Sequence, residues 1–196
     1  MKSEAKTPPI VVIGGANMDL SGQAAVAMRS GDSLPGTVRA SAGGVGRNIA
    51  EALARLGRLT KLIAALGDDG FAEDIVRQTS VAGVDLRATL RVPEQTTSTY
   101  LSVLDSAGEM QLAINDMDLV NALTPKVLAE RMRDLEDAKA WVVDANLSED
   151  ALAFIFSNTQ SNIPVFAEPV SVTKAVKLLP WLSRITLLKP NRIEAA

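Results

Sequence analysis

Nothing narrows the fold of this chain more than the stretch IVVIGGAN at residues 10–17. Four consecutive β-branched residues run straight into Gly14 and Gly15. A strand with one wet face alternates apolar and polar residues, whereas an uninterrupted apolar run belongs in a strand covered on both faces. The same pattern returns in LTKLIAALG (59–67), KAWVVDAN (139–146), IPVFAEP and RITLLKP. Between these runs the apolar spacing becomes helical. Ile49, Leu53 and Leu56 share one face of a helix over 47–56 that Gly57 ends. Phe71, Ile75, Val76 and Val81 mark a second helix before Gly83. Ser148 is placed to cap a helix in LSEDALAFIFSNT, another is expected around 171–180, and Thr124 with Pro125 opens one in LTPKVLAERM. Strand and helix alternate along most of the chain, which predicts an α/β fold with a mainly parallel sheet flanked by helices.

Two segments break the rhythm. Residues 20–41 hold Gly22, Gly31, Pro35 and Gly36 among small and polar residues, too irregular for a crossover helix. Residues 97–115 read as a hairpin, TSTYLSVL and EMQLAIN about a turn at DSAG. Both suit strands outside the parallel sheet, forming a flap over a site on the main domain. No internal repeat is found. Residues 1–9 are expected to be a disordered polar tail, with one domain over 10–196.

Composition narrows the chemistry. The chain of 196 residues carries a net charge of −3, so no basic field attracts nucleic acid or anionic lipid, and a small-molecule substrate is the better match. It has no cysteine and no histidine, which removes thiolate nucleophiles, the commonest metal ligands and the commonest general base. No signal-peptide core or membrane-length apolar run occurs, so a cytoplasmic location is the expectation.

The loop SAGGVGRNIAEALARLG (41–57) invites a nucleotide reading, and its details refuse one. A dinucleotide fingerprint needs G-x-G-x-x-G directly after a strand, but Gly44-Val45-Gly46 is followed by Arg47-Asn48-Ile49, and the flap precedes it. The Gly-Lys-Ser/Thr of a Walker loop appears nowhere. By itself the segment reads as a tight helix entry. Its functional alternative is a hinge that places Asn48 against a sugar hydroxyl, to which an amide both donates and accepts. In GGANMDL (14–20), Asn17 and Asp19 follow the first strand at the carboxyl end of the sheet, where such folds bind ligands, although both residues also favour turns. Asn191 and Glu194 in KPNRIEAA have capping-box spacing; the functional alternative puts both near hydrated magnesium and phosphates. Asn115, Asp116 and Asp118 in AINDMD suit either a solvated turn or a carboxylate pair.

Taken in order, Gly43-Gly44, Gly46, Asn48, Ala50, Gly57 and Gly67, with Asn17 and Asp19 before them and LTP and KPNRIE after, resemble the PfkB-type (ribokinase-like) sugar and nucleoside kinases over residues 10–196. Within that family GGVGRNIA, TSTYLSVLDSAGEMQLAINDMD, ANLSEDAL and LKPNRIEA resemble the bacterial pseudouridine kinases more than the ribokinases or fructokinases. The resemblance implies a ribokinase-like α/β fold with a small β-lid, its lid strands within 20–41 and 97–116. It implies ATP and Mg²⁺ as cofactors and phosphorylation of the ribose 5′-hydroxyl of pseudouridine. Asn17, Asp19, Gly43, Gly44 and Asn48 would hold the ribose. Tyr100, Gln111 and Asn115 would lie on the lid, and Asn191 and Glu194 near phosphate and metal. Family lids often pair, so a homodimer through the lid is implied, for which Leu101, Val103, Leu112 and Ile114 are available; the same residues suit the lid's inner face.

The family's catalytic aspartate sits in a Gly-Ala-Gly-Asp motif that these 196 residues do not contain. The catalytic base is therefore expected beyond Ala196, with the C-terminal part of the fold missing and the chain an inactive fragment. Two alternatives stay open: another sugar or nucleoside kinase of the family, and a non-catalytic sugar- or nucleoside-binding module.

Overall fold

The structure, a computed structural model, describes residues 7–135 and 137–195. Most of the segment expected to be a disordered tail, residues 1–6, lies outside it.

In chain order the elements are β1 (Ile10–Ile13), β2 (Asn17–Ala24), β3 (Gly36–Gly43), α1 (Val45–Arg55), β4 (Thr60–Ile63) and β5 (Ala65–Leu66). Then come α2 (Gly70–Val81), β6 (Leu90–Arg91), β7 (Thr99–Leu104), β8 (Met110–Asp116) and α3 (Pro125–Met132). The last are β9 (Ala140–Asp144), α4 (Glu149–Asn158), β10 (Val165–Glu168), α5 (Val172–Ala175) and β11 (Leu187–Leu188). Five of these strands form the central sheet in the order β11-β10-β9-β1-β4, every pairing parallel. The β-branched run of β1 lies between β4 and β9. Val12 faces a core with Leu62, Ala50 and Ile75, while Val11 and Ile13 face a second core with Leu128, Leu152 and Phe156. Both faces of β1 are thus covered, as its unbroken apolar sequence requires.

The helix starts follow the expected chemistry. Thr124 Oγ1 accepts from Val127 N at 3.4 Å, and Ser148 Oγ accepts from Ala151 N at 3.2 Å. Beyond α5 the chain continues as a 3-10 helix from Val176 to Arg184 with Pro180 inside it, where a proline removes a donor and discourages a regular α-helix. Among the described residues no helix is long and apolar enough to cross a membrane.

Both rhythm-breaking segments enter a second sheet, ordered β3-β2-β7-β8. This is the small β-lid. Its first ladder reaches beyond 20–41 at both ends, pairing Asn17 with Gly43 and Ala24 with Gly36.

Three details differ from the sequence reading. GGANMDL is no turn: from Asn17 onward it is strand, because β3 and β7 supply ladder partners on either side. LTKLIAALG is not one strand. It divides after Ile63, and Ala65–Leu66 leaves the central sheet to pair with β6. Leu56 and Val81 were placed on buried helical faces, yet they are 76% and 84% exposed. Both stand at helix ends, where the chain turns at a glycine and the face has nothing left to pack against.

Candidate functional site

The carboxyl end of β1 lies at a switch point of the sheet. From β1 the chain proceeds to β4 on one side, and from β9 it proceeds to β10 on the other, leaving a crevice beyond β1 and β9 where folds of this kind bind ligands. Gly14, Gly15 and Ala16 cross this crevice and lead into β2.

In a strand, residues two apart point to one face. Asn17 and Asp19 therefore face the same way, and Asn17 Nδ2 donates to Asp19 Oδ1 at 2.6 Å. Asn17 is buried and Asp19 half-buried. Opposite them, Gly43 has no room for a side chain, since a Cβ there would lie 2.1 Å from Asp19 Oδ2. Gly44 has φ 98° and would bring a Cβ to 2.5 Å from the backbone of Gly15 and Ala16. The two glycines let the lid strand press onto Asp19 and the Gly15–Ala16 crossing, and the chain passes directly into α1. Asn48 follows in the first turn of that helix, exposed, with its N–H bonded to Gly44 O at 2.8 Å. Asn17, Asp19, Gly43 and Gly44 are thus in contact, with Asn48 one helical turn away.

The lid register adds two more residues. Tyr100 lies opposite Asp19, and Asn115 opposite Tyr100, so all three share a face. Gln111 does not join them. A bulge after Val103 displaces it, and its Nε2 donates to Asp105 Oδ2 at 2.7 Å in the hairpin turn. Leu101, Val103, Leu112 and Ile114 lie on the other face, with Leu112 and Ile114 56% and 57% exposed. Alternation alone forbids these four from lining the side that carries Asp19.

Asn191 and Glu194 stand beyond β11 at the same edge of the sheet, three strands from β1. They form the reciprocal capping box. Glu194 Oε2 accepts from Asn191 N at 2.9 Å, and Asn191 Oδ1 accepts from Glu194 N at 2.9 Å. Asp116 and Asp118 are exposed, and no cluster of three metal-binding side chains occurs among the described residues.

Sequence reasoning missed the most enclosed charged group, Asp144. It ends β9 with no exposed surface and accepts from Gly15 N and Asn146 N, both at 2.9 Å, with the start of α1 at Gly46 packed against it. Burial pushes this carboxyl above its ordinary value, while the N–H donors pull the other way. Asp144 thereby fastens the glycine crossing and the start of α1 to the central strand. Beside it, Lys174 Nζ donates to Asn146 Oδ1 at 2.6 Å and Lys177 Nζ to Leu147 O at 2.5 Å. Burial lowers the Lys177 ammonium, helped by the neighbouring charge of Lys174. The available signal was an Asp and an Asn closing an otherwise apolar buried strand.

The family described as pfkB family carbohydrate kinase matches residues 8–196. The pseudouridine kinase of Escherichia coli K12 is 46% identical over 186 residues, covering 95% of this chain and 59% of the relative. A carbohydrate kinase from Agrobacterium tumefaciens superposes with a TM-score of 0.88 at 32% identity, over 96% of this chain and 62% of its own. The fold is also that of Arabidopsis thaliana ribokinase complexed with ribose and ATP, TM-score 0.75 at 22% identity, covering 95% and 61% of the two chains. The chain therefore spans about three fifths of the length of these relatives.

Proposed function

Because this chain belongs to the pfkB family of carbohydrate kinases, we propose that it supplies the acceptor half of a cytoplasmic enzyme that transfers the γ-phosphoryl group of ATP to the ribose 5′-hydroxyl of pseudouridine. The observation that carries the reading is the Asn17–Asp19 pair, seated against a glycine with no space for a side chain, at the switch point of a parallel sheet. A carboxylate accepts hydrogen bonds from two vicinal hydroxyls, and the amide of Asn17 fixes its rotation. Asn48 contacts the sugar from α1, and the Tyr100–Asn115 face of the lid covers the base. Kinship to pseudouridine kinase at 46% identity supports the choice of acceptor.

Glu194 fits a magnesium ion held mainly by phosphates. Its half-buried carboxylate receives two N–H bonds from Asn191, one on each oxygen, leaving lone pairs for the ion's water shell. Bound there, Mg²⁺ would neutralise charge on the transferring phosphate. The apolar outer face of the lid, with Leu112 and Ile114, is the surface assigned to pairing of two copies; a monomeric mass in sedimentation equilibrium would remove that assignment.

Asp19→Asn in the full-length gene product is expected to remove a charge-assisted bond to the ribose, costing about 1.5–3 kcal/mol. The ratio kcat/KM for pseudouridine then falls about tenfold or more, and an unchanged ratio excludes Asp19 from the site. Glu194→Gln is expected to raise the Mg²⁺ concentration for half-maximal rate while leaving Tm nearly intact, since glutamine still serves a capping box. A normal magnesium dependence would reduce Glu194 to its cap.

A further inference from the structure

Arg47 is the one buried arginine among the described residues, 5% exposed, and it follows the glycine loop at the start of α1. Its guanidinium joins three segments. Nη1 donates to Ala42 O at 2.9 Å, on the last turn of the lid ladder before Gly43. Nε donates to Thr79 Oγ1 at 3.0 Å, on α2. Within α1, Nη1 donates to Asn48 Oδ1 at 2.7 Å, and Nη2 is paired with Glu51.

The bond to Asn48 has a chemical consequence. An asparagine amide offers an acceptor oxygen at one end and an NH₂ donor at the other. The bond from Arg47 to Oδ1 fixes the rotation of the amide, and its NH₂, which makes no hydrogen bond to the described residues, is the donor end left for a ligand. The same rigid guanidinium holds the carbonyl of Ala42, so the lid's return strand and the Asn48 amide are referred to one plane. A lysine has neither the fork nor the reach to several acceptors at fixed angles.

We propose that Arg47 is a positioning residue, which turns the NH₂ of Asn48 toward the acceptor's hydroxyl oxygen and ties that orientation to the base of the lid at Ala42. The inference rests on the reading of Asn48 as an acceptor ligand given above. It assigns no contact between Arg47 and substrate; Arg47 acts through Asn48.

The test is a double-mutant cycle in the full-length gene product, reading the Kd for pseudouridine by calorimetry, the KM for ATP, and Tm. Arg47→Lys and Asn48→Ala are each expected to weaken pseudouridine by about tenfold with the KM for ATP nearly unchanged. Arg47→Lys combined with Asn48→Ala is expected to be no weaker than either alone, because one residue acts through the other. A merely structural arginine would lower Tm and leave the Kd of the folded protein as it was. If Asn48→Ala weakens binding while Arg47→Lys does not, or if the two losses multiply, the positioning role is overturned and the acceptor site stands. If Asn48→Ala has no effect, the acceptor reading of Asn48 falls and this inference with it. Should Arg47→Lys not fold, Thr79→Val removes the Nε anchor more gently and is expected to weaken pseudouridine about threefold; no change there also overturns the proposal.

Discussion

A polypeptide of residues 1–196 is expected to give no detectable phosphorylation of pseudouridine with ATP and Mg²⁺. Phosphoryl transfer is catalysed almost entirely by positioning and charge stabilisation. The Gly-Ala-Gly-Asp motif to which the family resemblance assigns both the aspartate base and the anion hole does not occur in these residues. Loss of a single such donor costs about 2.7–4 kcal/mol in other enzymes, and on the proposed reading residues 1–196 would lack the whole hole and the base together. A longer polypeptide that includes the motif is expected to be active. Product verified by intact mass from residues 1–196 alone would show that the catalytic groups lie elsewhere. The fold points the same way. Beside α1, a cleft of about 600 Å³ lined by Ile49, Phe166 and Leu187 leaves the β10–β11 half of one sheet face uncovered. Leu187 in its lining is 53% exposed, and elsewhere Leu179 and Ile193 are 61% and 72% exposed. Residues 1–196 are therefore also expected to bind apolar dyes and to aggregate more readily than the longer polypeptide.

Asp144→Ala is expected to be the most damaging single substitution for stability. It would leave the N–H groups of Gly15 and Asn146 buried without their acceptor. Each orphaned donor costs about 1–3 kcal/mol, so the two together come to about 3 kcal/mol or more unless the relief of desolvating a carboxylate offsets part of it. For a domain of this size that corresponds to a fall in Tm of roughly 6 °C or more. Asp144→Asn keeps the volume but aims an NH₂ at one of those donors, so it is expected to fall between the wild type and alanine. Thermal unfolding of the full-length gene product measures both. An unmoved Tm in Asp144→Ala would mean that the glycine crossing is held by the sheet alone.

Much of the fold was legible because burial on two faces leaves a local trace. The run at Ile10–Ile13 is apolar throughout and that at Ala140–Asp144 at every position but the last, and that pattern suits few settings other than the middle of a parallel sheet. Caps are equally local, so Thr124 and Ser148 could be placed from their neighbours in sequence. The glycine signature was legible as a resemblance, while the reason for it was not. That Gly43 must lack a side chain depends on Asp19, 24 residues earlier, and becomes visible once the β2–β3 register is known.

What the sequence determined by itself was the alternation of strand and helix, the helix starts, and the residue types available for chemistry in a chain without histidine or cysteine. Each of these depends on neighbours within a few positions, through backbone conformation and amphipathic spacing. The tertiary structure alone decided which residues meet. It decided between the two readings of GGANMDL by offering strand partners on both sides, and it divided LTKLIAALG between two sheets. It left Gln111 at a bulge without a ladder partner, four residues along β8 from Asn115, where its amide bonds Asp105 in the hairpin turn. It also carried Asp144 from a position that reads simply as the end of a buried strand to a contact with Gly15, 129 residues away. Long-range pairing of this kind is set by packing of whole elements, which no short window of sequence contains.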